Sequence, residues 1–430
     1  MIAPTNSHST AGPSASAAEV RLVDLPPLGA LEATWRDLEN RADSSFFTSW
    51  DWIGPWLHCL PEDVRPRLLR ADHAGQCVGL ALLVERRHLR FGFLPVRAMH
   101  FNESGRADLD ALTIEYNGCL TARDSGAGSA ADIERAMLLA LMATPQAPDE
   151  LRLSGARRLL EDLPANLQQR ATPHLCFYID LQAINASGKD YLGYLKQRQR
   201  YLVRKSLKRL SDPVPLRMVQ ATTLEQAREF LAELERLHTR YWQAKGEPGA
   251  FGSDFQRRFH THLIEQGMPR GAVALTAAMR GDRAIAYFYY FCHDGWVHYY
   301  QSGIDYEQLD GSESPGLAAH ALAVEHFRTA GWRFYDFMTG DLQYKRTLAT
   351  EDLPLHWVTL QQHSAKMRLE DWLLRQAKAG RARWRHWRDE RQARQQRQAS
   401  ERAEATAAAA AGQAAASPAS VAQVREPHSG

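Results

Sequence analysis

The segment from Gln301 to Lys345, QSGIDYEQLDGSESPGLAAHALAVEHFRTAGWRFYDFMTGDLQYK, decides the fold, because its residues predict a strand, a loop, a helix and a second strand in order. The aromatic and β-branched run over residues 295–302 predicts a strand that turns at Gly303. RFYDF at residues 333–337 predicts the second strand, and a polar loop follows it up to Lys345. This order suits a site for an activated donor that carries phosphate groups.

The helix between these strands has a recognisable start. Ser314 is a suitable N-cap, and Pro315 suits the first helical position because its missing N–H is not needed there. A helix start leaves free backbone N–H groups and a partial positive charge, so the stretch from Gly311 to Leu317 is a candidate pyrophosphate site. An ordinary capped helix is the alternative interpretation.

This segment resembles the C-terminal signature of the CelD-like acetyltransferases, a branch of the GNAT acyltransferases related to the FemABX peptidyltransferases. A basic stretch at residues 194–210 and the sequence SFFTSWDW at residues 45–52 also resemble that family, so the likeness covers roughly residues 20 to 363. The signature falls on Gly303, Asp305, Ser314, Pro315, Gly316, Gly331, Asp336, Phe337, Gly340, Asp341, Tyr344 and Lys345.

The resemblance implies an α/β fold with two tandem GNAT-like lobes, each a mixed, mostly antiparallel sheet flanked by helices. It implies transfer of an acyl group from acetyl-CoA or another acyl-CoA to an amine or hydroxyl acceptor, in polysaccharide or envelope biosynthesis. The acyl-CoA would be a donor substrate, and no permanently bound cofactor is expected.

One departure from the GNAT pattern keeps other functions open. The conventional pyrophosphate motif, Arg or Gln, two residues, Gly, one residue, then Gly or Ala, does not precede the helix at Pro315. A FemABX-like transfer from aminoacyl-tRNA is therefore an alternative. A non-catalytic scaffold that binds RNA, a membrane or a protein partner is another.

The length of 430 residues favours two lobes with additional terminal segments. We predict a disordered leader at 1–19, a first lobe at 20–180, a catalytic second lobe at 181–363, a basic helical extension at 364–398 and a disordered alanine-rich tail at 399–430. Each lobe contains a predicted hairpin, at residues 67–84 and 272–288, and later a helix that leads into a strand. The names first lobe and second lobe are kept below for these two ranges.

Positive charge is concentrated in two helical stretches. Residues 366–397 carry a net charge of +7 within a chain whose total is +2, and Trp372, Trp384 and Trp387 lie among these arginines. This helix could contact RNA or an anionic membrane surface, or it could be a solvated helix whose tryptophans pack on the second lobe. The basic stretch from Lys196 to Arg209 has the same two interpretations, a polyanion contact or a solvated face.

Composition indicates a reducing compartment, and we expect the protein to be cytoplasmic. The five cysteines are scattered and contain no C-x-x-C pair, so neither a disulfide framework nor a metal site is expected. No apolar run approaches ~18 residues, the length that would predict a spanning helix. The sequence does not predict the oligomeric state.

Acyl transfer needs a proton acceptor, oxyanion donors and an acid for the leaving group. Asp336 and Asp305 are the candidate bases, and burial of Asp336 between two aromatic residues is expected to raise its pKa. Tyr344 is the candidate acid and Lys345 a candidate phosphate or oxyanion partner. The expected donor-binding residues are Gln301, Gly303, Gly311, Ser314, Gly316 and Leu317.

Two further observations carry less specific predictions. Cys292, His293 and His298 lack the spacing of a metal site and are expected to serve packing. Glu115 is expected at the end of a first-lobe strand, projecting into the cleft between the lobes, with a turn at Asn117 and Gly118.

Overall fold

The structure is a computed structural model that describes residues 18–247, 249–307 and 314–415. Up to residue 180 its strands are Glu19–Asp24 (β1), Arg67–His73 (β2), Gln76–Arg90 (β3), Leu94–Phe101 (β4), Leu120–Thr121 (β5), Glu150–Ala156 (β6) and Leu167–Asp180 (β7). Its helices there are Leu28–Glu39 (α1), Trp50–Cys59 (α2) and Ala130–Ala143 (α3), with short 3-10 helices at Phe46–Thr48 and Asp110–Leu112.

The second half continues with the strands Leu216–Gln220 (β8), Val273–Arg280 (β9), Arg283–His293 (β10), Trp296–Ile304 (β11), Phe334–Thr339 (β12) and Glu351–Gln362 (β13). Its helices are Leu181–Ala186 (α4), Tyr191–Tyr194 (α5), Gln197–Leu210 (α6), Leu224–Gln243 (α7), Asp254–Gly267 (α8), Pro315–Thr329 (α9), Gln343–Leu348 (α10) and Ala365–Ala415 (α11), with a 3-10 helix at Met268–Arg270.

Most of the predicted elements are present. The two predicted hairpins are confirmed by the antiparallel pairing of β2 with β3 and of β9 with β10. The strand, helix and strand after residue 295 are confirmed as β11, α9 and β12. The predicted polar loop is wrong at its end, because α10 begins at Gln343 and carries both Tyr344 and Lys345. At the other end of the chain, β1 begins at Glu19, within the range predicted as a leader.

A single sheet runs through both lobes in the order β1-β2-β3-β4-β6-β13-β7-β12-β11-β10-β9-β8, and β5 pairs with β3 beside it. Most neighbours are antiparallel, and helices flank the sheet, so the predicted mixed α/β class is confirmed. The last strand, β13, lies between β6 and β7, with antiparallel pairing on both sides. Residues up to Ser364 therefore form one compact unit.

The two lobes repeat one arrangement of parallel strands. Each has a strand, a helix and a parallel partner strand: β4, α3 and β6 in the first lobe, and β11, α9 and β12 in the second. In both lobes the parallel pairing stops after a histidine although the strands continue, so the strands part there. The last pairs are His100 with Arg152 and His298 with Asp336.

Aromatic side chains join the lobes on one face of the sheet. The ring of Trp52 packs edge-on against Phe259 at a centroid distance of 4.8 Å, and Phe46 stacks on Phe291 at 4.4 Å. All four side chains are buried. Burial of such side chains contributes ~1.5–3 kcal/mol each, so this cluster is a strong reason why the lobes form one unit.

Residues 365–430 form a separate unit, described as far as Ala415. The helix α11 continues beyond residue 398, where the sequence interpretation placed the end of the helical extension. Trp372, Trp384 and Trp387 are each about half exposed, at 52%, 57% and 54%. Among the described residues, no helix combines the length and the apolar character needed to cross a membrane.

Candidate active site

Asp336 lies in the middle of β12, where it is fully buried. Its Oδ2 accepts a hydrogen bond from Nδ1 of His298 at 2.6 Å. Its Oδ1 accepts from the Cys176 thiol at 3.0 Å and from the Met338 backbone N–H at 2.7 Å. Burial alone would raise the pKa of this carboxyl, but these hydrogen bonds outweigh burial and lower the pKa. The expectation of a raised pKa at Asp336 is therefore wrong, and the carboxylate stays ionised.

Glu115 reaches the same region from the first lobe. It is buried, and its carboxylate accepts hydrogen bonds from the backbone N–H of Thr339 at 2.9 Å and from the Thr339 hydroxyl. Burial, opposed by these hydrogen bonds and reinforced by the nearby Asp336 carboxylate, raises the pKa of Glu115 to about 7. A carboxyl that titrates near neutrality is suited to accept a proton.

Lys345 is buried beside these two carboxyl groups. Its Nζ donates hydrogen bonds to the backbone carbonyls of Met338 at 3.2 Å and Thr339 at 2.5 Å. Burial lowers the pKa of Lys345, against the attraction of Glu115 and Asp336. The structure thus brings the predicted residues Asp336 and Lys345 together, and it adds Glu115 to them.

Asp336 and Lys345 hold the backbone at the end of β12 from two sides. Met338 has a φ of 61°, in the left-handed region that costs a residue with a side chain roughly 1–2 kcal/mol. Its N–H is bound by Asp336 and its carbonyl by Lys345, and Gly340 follows with a φ of 116°. The two side chains therefore stabilise a strained turn that presents Thr339.

Tyr344 lies apart from this group, on the face of the sheet that α9 covers. Its ring stacks on His320 with a centroid distance of 5.4 Å. Burial, and then the neighbouring hydroxyls of Tyr299 and Tyr306, raise the pKa of Tyr344. Tyr299 in turn contacts Ser302 through its hydroxyl at 2.7 Å. Tyr344 therefore stays protonated at the end of a chain of hydroxyl groups that follows β11.

Asp305, the other predicted base, does not join Asp336 and Lys345. It follows the end of β11 and is nearly buried, with Arg240 at 3.6 Å and Arg283 at 4.0 Å. Its backbone N–H donates to the Ile285 carbonyl at 3.0 Å. These contacts connect the end of β11 to α7 and β10, so they give Asp305 a structural role.

The predicted donor residues lie on β11 and at the start of α9. Gln301 is in β11, and Gly303 faces α7, where an added Cβ would come within 2.6 Å of the Leu234 carbonyl oxygen. This close approach explains the glycine without a ligand. Ser314 precedes α9, but its side chain makes no capping hydrogen bond, so the predicted N-cap is wrong in that respect.

Gly316 and Leu317 form the first turn of α9, and Gly311 lies outside the described residues. A Cβ added to Gly316 would meet only the Ile304 side chain, at an ordinary 3.5 Å, and the backbone there has no positive φ. Packing within the protein therefore does not require a glycine at this position. Leu317 is partly buried against the apolar cluster beneath α9.

The basic helix α6 packs beside the start of α9. Ser206, buried on α6, donates a hydrogen bond from its hydroxyl to the Ser314 carbonyl at 2.6 Å. Six basic residues and no acidic residue lie in α6, and Arg204, Lys205 and Lys208 are exposed. The positive charge of this helix therefore lies close to the positive end of α9.

In the first lobe, a loop fills the corresponding gap between the separated ends of the parallel strands β4 and β6. Asn117 donates from its side chain to the Phe101 carbonyl at 2.8 Å and from its backbone to the Gly155 carbonyl at 3.1 Å, so it joins the ends of β4 and β6. Asn102 donates to the Asn117 side chain at 2.8 Å. The predicted strand ending at Glu115 is wrong, since these residues are a loop that closes the gap.

Sequence reasoning missed the role of His298, which was expected to serve packing and instead binds Asp336. It also missed Cys176 and Thr339, which bond to Asp336 and Glu115 respectively. For Glu115, the sequence indicated only a position in the cleft between the lobes. Within the described parts of the chain, no group of His, Cys, Asp and Glu side chains is arranged to hold a metal ion.

Residues 197–346, from α6 to α10, match the acetyltransferase (GNAT) domain family. The match identifies this part of the chain as a GNAT-type acyltransferase domain, and it contains Asp336, Tyr344 and Lys345. No curated protein matches the chain.

Several solved structures resemble the fold at low sequence identity. The C-terminal domain of a putative lysylphosphatidylglycerol synthetase from Agrobacterium fabrum has 11% identity and a TM-score of 0.48, covering 81% of this chain and 97% of its own. FemX has 10% identity and a TM-score of 0.46, with 82% and 99% covered. A tandem GNAT protein from the clavulanic acid biosynthesis pathway has 13% identity and a TM-score of 0.40, with 80% and 99% covered.

Proposed function

We propose that the second lobe transfers an acyl group from acetyl-CoA or another acyl-CoA to an amine or hydroxyl acceptor. The observation that carries this proposal is the end of pairing between β11 and β12 after His298 and Asp336. Beyond this pair, the edge of β11 that faced β12 is not paired with any described strand. This edge lies next to the start of α9 and to the buried carboxyl groups of Asp336 and Glu115. Unpaired strand N–H groups can bind the carbonyl and amide groups of an extended donor.

The donor's pyrophosphate is placed at the first turn of α9, around Gly316. The free N–H groups and positive dipole of the helix favour an anion there. The missing side chain at Gly316 leaves room that the protein itself does not use. The exposed cations of α6 lie beside this turn and add to the attraction.

The acceptor's proton is assigned to Glu115 and not to Asp336. The Asp336 carboxylate is held in its ionised form, whereas Glu115 titrates near neutrality. Thr339 is half-buried and donates a hydrogen bond from its hydroxyl to Glu115. Its hydroxyl therefore lies between the buried carboxyl of Glu115 and the proposed position of the acceptor. As the acceptor attacks the thioester carbon, its proton passes through Thr339 to Glu115.

The remaining residues stabilise the other charges of the reaction. The N–H groups of β11 around Gln301 to Gly303 polarise the thioester carbonyl while the carbon–sulfur bond breaks. The protonated hydroxyl of Tyr344 donates a hydrogen bond to the leaving thiolate. Lys345 and Asp336 keep the Thr339 turn in place, and Asp305 fixes the end of β11.

The biological setting is proposed from the resemblance to the CelD-like family. It favours an acceptor in polysaccharide or envelope biosynthesis, with a saccharide amine or hydroxyl as the attacking group. We place the reaction in the cytoplasm, where the five free thiols of this chain would stay reduced.

Donor binding tests the proposal most directly. Acetyl-CoA should raise the melting temperature of the purified chain and be turned over, with free CoA appearing, when a panel of amino sugars is supplied. A ligand that binds the native state stabilises it by mass action. Stabilisation by aminoacyl-tRNA and not by acetyl-CoA would identify aminoacyl-tRNA as the donor instead. Stabilisation by neither would favour the interpretation of the chain as a non-catalytic scaffold.

A further inference from the structure

The hairpin formed by β3 and β4 extends beyond the rest of the sheet. β3 pairs with β2 only as far as Leu83, and β4 pairs with β6 only from Ala98 onward. Residues 87–97 therefore form a two-stranded ribbon that no third described strand borders. The ribbon turns at residues 91–93, which are its far end. Residues 89–95 are called the hairpin tip below.

The hairpin tip exposes large apolar side chains to solvent. Leu89 is 65% exposed, Phe91 44% and Phe93 58%. Pro95, which pairs with Leu89 across the hairpin, is exposed as well. No other phenylalanine in the described part of the chain is exposed. Neighbouring apolar side chains left in solvent mark a surface that contacts a protein or a membrane.

The opposite face of the hairpin fixes the tip to the first lobe. Leu94 and Val96 are buried on that face. Arg90, which pairs with Leu94, donates a hydrogen bond to the buried Glu150 of β6 at 2.6 Å. The exposed side chains of the tip therefore lie on an ordered support, so little conformational entropy is lost when they contact a partner.

Positive charge lies behind the tip on both faces of the hairpin, because each of two carboxylates there is shared by two arginines. The outer set is Glu85 with Arg87 at 3.4 Å and Arg97 at 3.7 Å, and the inner set is Glu150 with Arg90 at 2.6 Å and Arg152 at 2.7 Å. Asp149 adds a third carboxylate, which accepts from the Arg97 backbone N–H at 2.8 Å. With Arg86 included, residues 85–97 and 149–152 carry five arginines against three acids, a net charge of +2.

The spacing between the arginines and the apolar tip matches the depth of a membrane interface. The pair of Arg87 with Arg97 lies two residues from the pair of Leu89 with Pro95, a distance of about 7 Å along a strand. Apolar side chains of interfacial segments penetrate ~5–10 Å, to the boundary between headgroups and acyl chains. With Leu89 at that boundary, the two arginines lie at the level of the lipid phosphates, which their long side chains can reach.

We propose that the hairpin tip inserts into the surface of an anionic phospholipid membrane, with Leu89, Phe91 and Phe93 at the acyl chains and Arg87 and Arg97 at the phosphates. The cations on both faces favour a membrane over a protein partner. A lipid surface surrounds an inserted hairpin with phosphate groups, whereas a protein groove would need acidic groups on two opposite walls. The surface belongs to the first lobe and does not depend on the acyl-transfer proposal for the second.

Flotation of the purified full-length chain with lipid vesicles tests the role of the apolar side chains. Vesicles that contain phosphatidylglycerol in phosphatidylcholine should bind the chain. Leu89→Thr combined with Phe93→Ser should weaken this binding at least tenfold and leave the melting temperature unchanged, because both side chains are exposed. Leu28→Ser, at a leucine of α1 that is 48% exposed, is the control and should bind like the wild type. Equal binding by the double variant and the wild type would overturn the proposal.

The role of the cations has a separate test. Arg87→Gln should weaken binding to the anionic vesicles about fivefold, the contribution of one arginine near a charged surface. Its side chain is 81% exposed, so the fold should not change. Arg87→Lys keeps the charge and should bind like the wild type. Equal binding of the wild type to vesicles of phosphatidylcholine alone would contradict the contact with anionic lipid.

The helix α11 also carries cations, so the place of contact needs its own measurement. A polarity-sensitive dye attached at Phe93→Cys should shift its emission to shorter wavelength with the anionic vesicles, and the same dye at Leu28→Cys should not. An unshifted dye at position 93 on vesicle-bound chain would assign the binding to another surface and refute the insertion. A dimer in solution that the Leu89→Thr and Phe93→Ser double variant dissociates, without vesicle binding, would identify a second copy of the chain as the partner and also refute it.

Discussion

The carboxylate of Glu115 and the backbone N–H of Thr339 are 2.9 Å apart and join the two lobes at the candidate site. Glu115 belongs to the loop that closes the gap of the first lobe, and Thr339 ends the strand that borders the open gap of the second. The same loop therefore blocks one potential site and supplies a carboxyl to the other. Both of the similar halves therefore contribute residues to the candidate site.

Glu115→Gln should lower turnover by at least ~10²-fold, the range typical of a lost proton acceptor. The wild-type kcat/KM should rise with pH through about 7, since Glu115 must lose its proton to act. That rise should be absent from the Glu115→Gln variant. A variant that keeps the wild-type pH profile would show that another group accepts the proton.

The same carboxyl should affect stability, with a sign that follows from its raised pKa. The folded state holds the proton more tightly than the unfolded state, so the unfolding free energy should fall as pH rises from about 4.5 to about 7. The loss is on the order of 3 kcal/mol and should be missing in Glu115→Gln. Denaturant titrations at several pH values measure it, and equal slopes for both proteins would contradict the burial of this group as a neutral acid.

Asp336→Asn and Lys345→Met should both lower stability by about 1–3 kcal/mol. The Asn side chain has an NH2 group in place of the oxygen that accepts from His298, and Met leaves the Met338 and Thr339 carbonyls without the Lys345 donor. Turnover should fall further than the loss of folded protein explains, since the turn presents Thr339. Chemical denaturation and steady-state rates at equal folded fraction separate the two effects. Asp282→Asn, in an exposed hairpin turn, is the matched control. Full activity in both folded variants would make the Asp336 and Lys345 contacts purely structural.

Gly316→Asp should weaken acetyl-CoA binding at least tenfold, because it places a like charge where the donor phosphates are proposed to bind. Folding should be preserved, since an acidic residue suits the first turn of a helix. Gly29→Asp is a close control, because Gly29 is also the second residue of a helix and has free space around it. Equal affinities for acetyl-CoA in the two variants, measured by calorimetry, would show that the donor phosphates do not bind at the start of α9.

One acyl-CoA should bind per chain, although the chain has two similar lobes. The hydrogen bonds of Asn117 to the ends of β4 and β6 occupy the first-lobe gap. Native mass spectrometry or calorimetry gives the stoichiometry. Two equivalent sites per chain would mean that this loop opens and that the first lobe also binds donor.

The positive charge of α11 should serve association and not chemistry. Replacement of Arg381, Arg383 and Arg385 by Gln should weaken binding to a polyanion such as RNA at low salt, because fewer counterions are released. The rate of acyl transfer to a soluble acceptor should not change. The same three positions changed to Lys keep the charge and provide the control. A reduced rate in the Gln variant alone would connect α11 with the reaction.

The order of elements in the second lobe could be predicted from local signals. The aromatic run of β11, Pro315 at the helix start and the RFYDF strand each act within a few residues. The helix α10 was not predicted, because GDLQYK has no strong start signal and its Lys345 is buried through tertiary contacts. Propensity alone does not identify so short a helix.

The partners of the candidate site could not be predicted, since they are distant in the chain. His298 contacts Asp336 because β11 and β12 pair in a particular parallel register. No local sequence pattern specifies that register. Glu115 lies 224 residues from Thr339. The lowered pKa of Asp336 follows from those long-range donors, so burial alone gave the wrong sign.

The position of β13 determines when this protein can acquire its shape during synthesis. Until residues 351–362 leave the ribosome, β6 and β7 each lack their shared neighbour and expose a strand edge. The N-terminal half must therefore wait for nearly the whole compact unit to be translated before its sheet is complete, and such long-range pairing folds slowly. A fragment ending near Asp180 would keep those edges open and be prone to aggregate, so the halves are products of one folding event and not modules that can be separated.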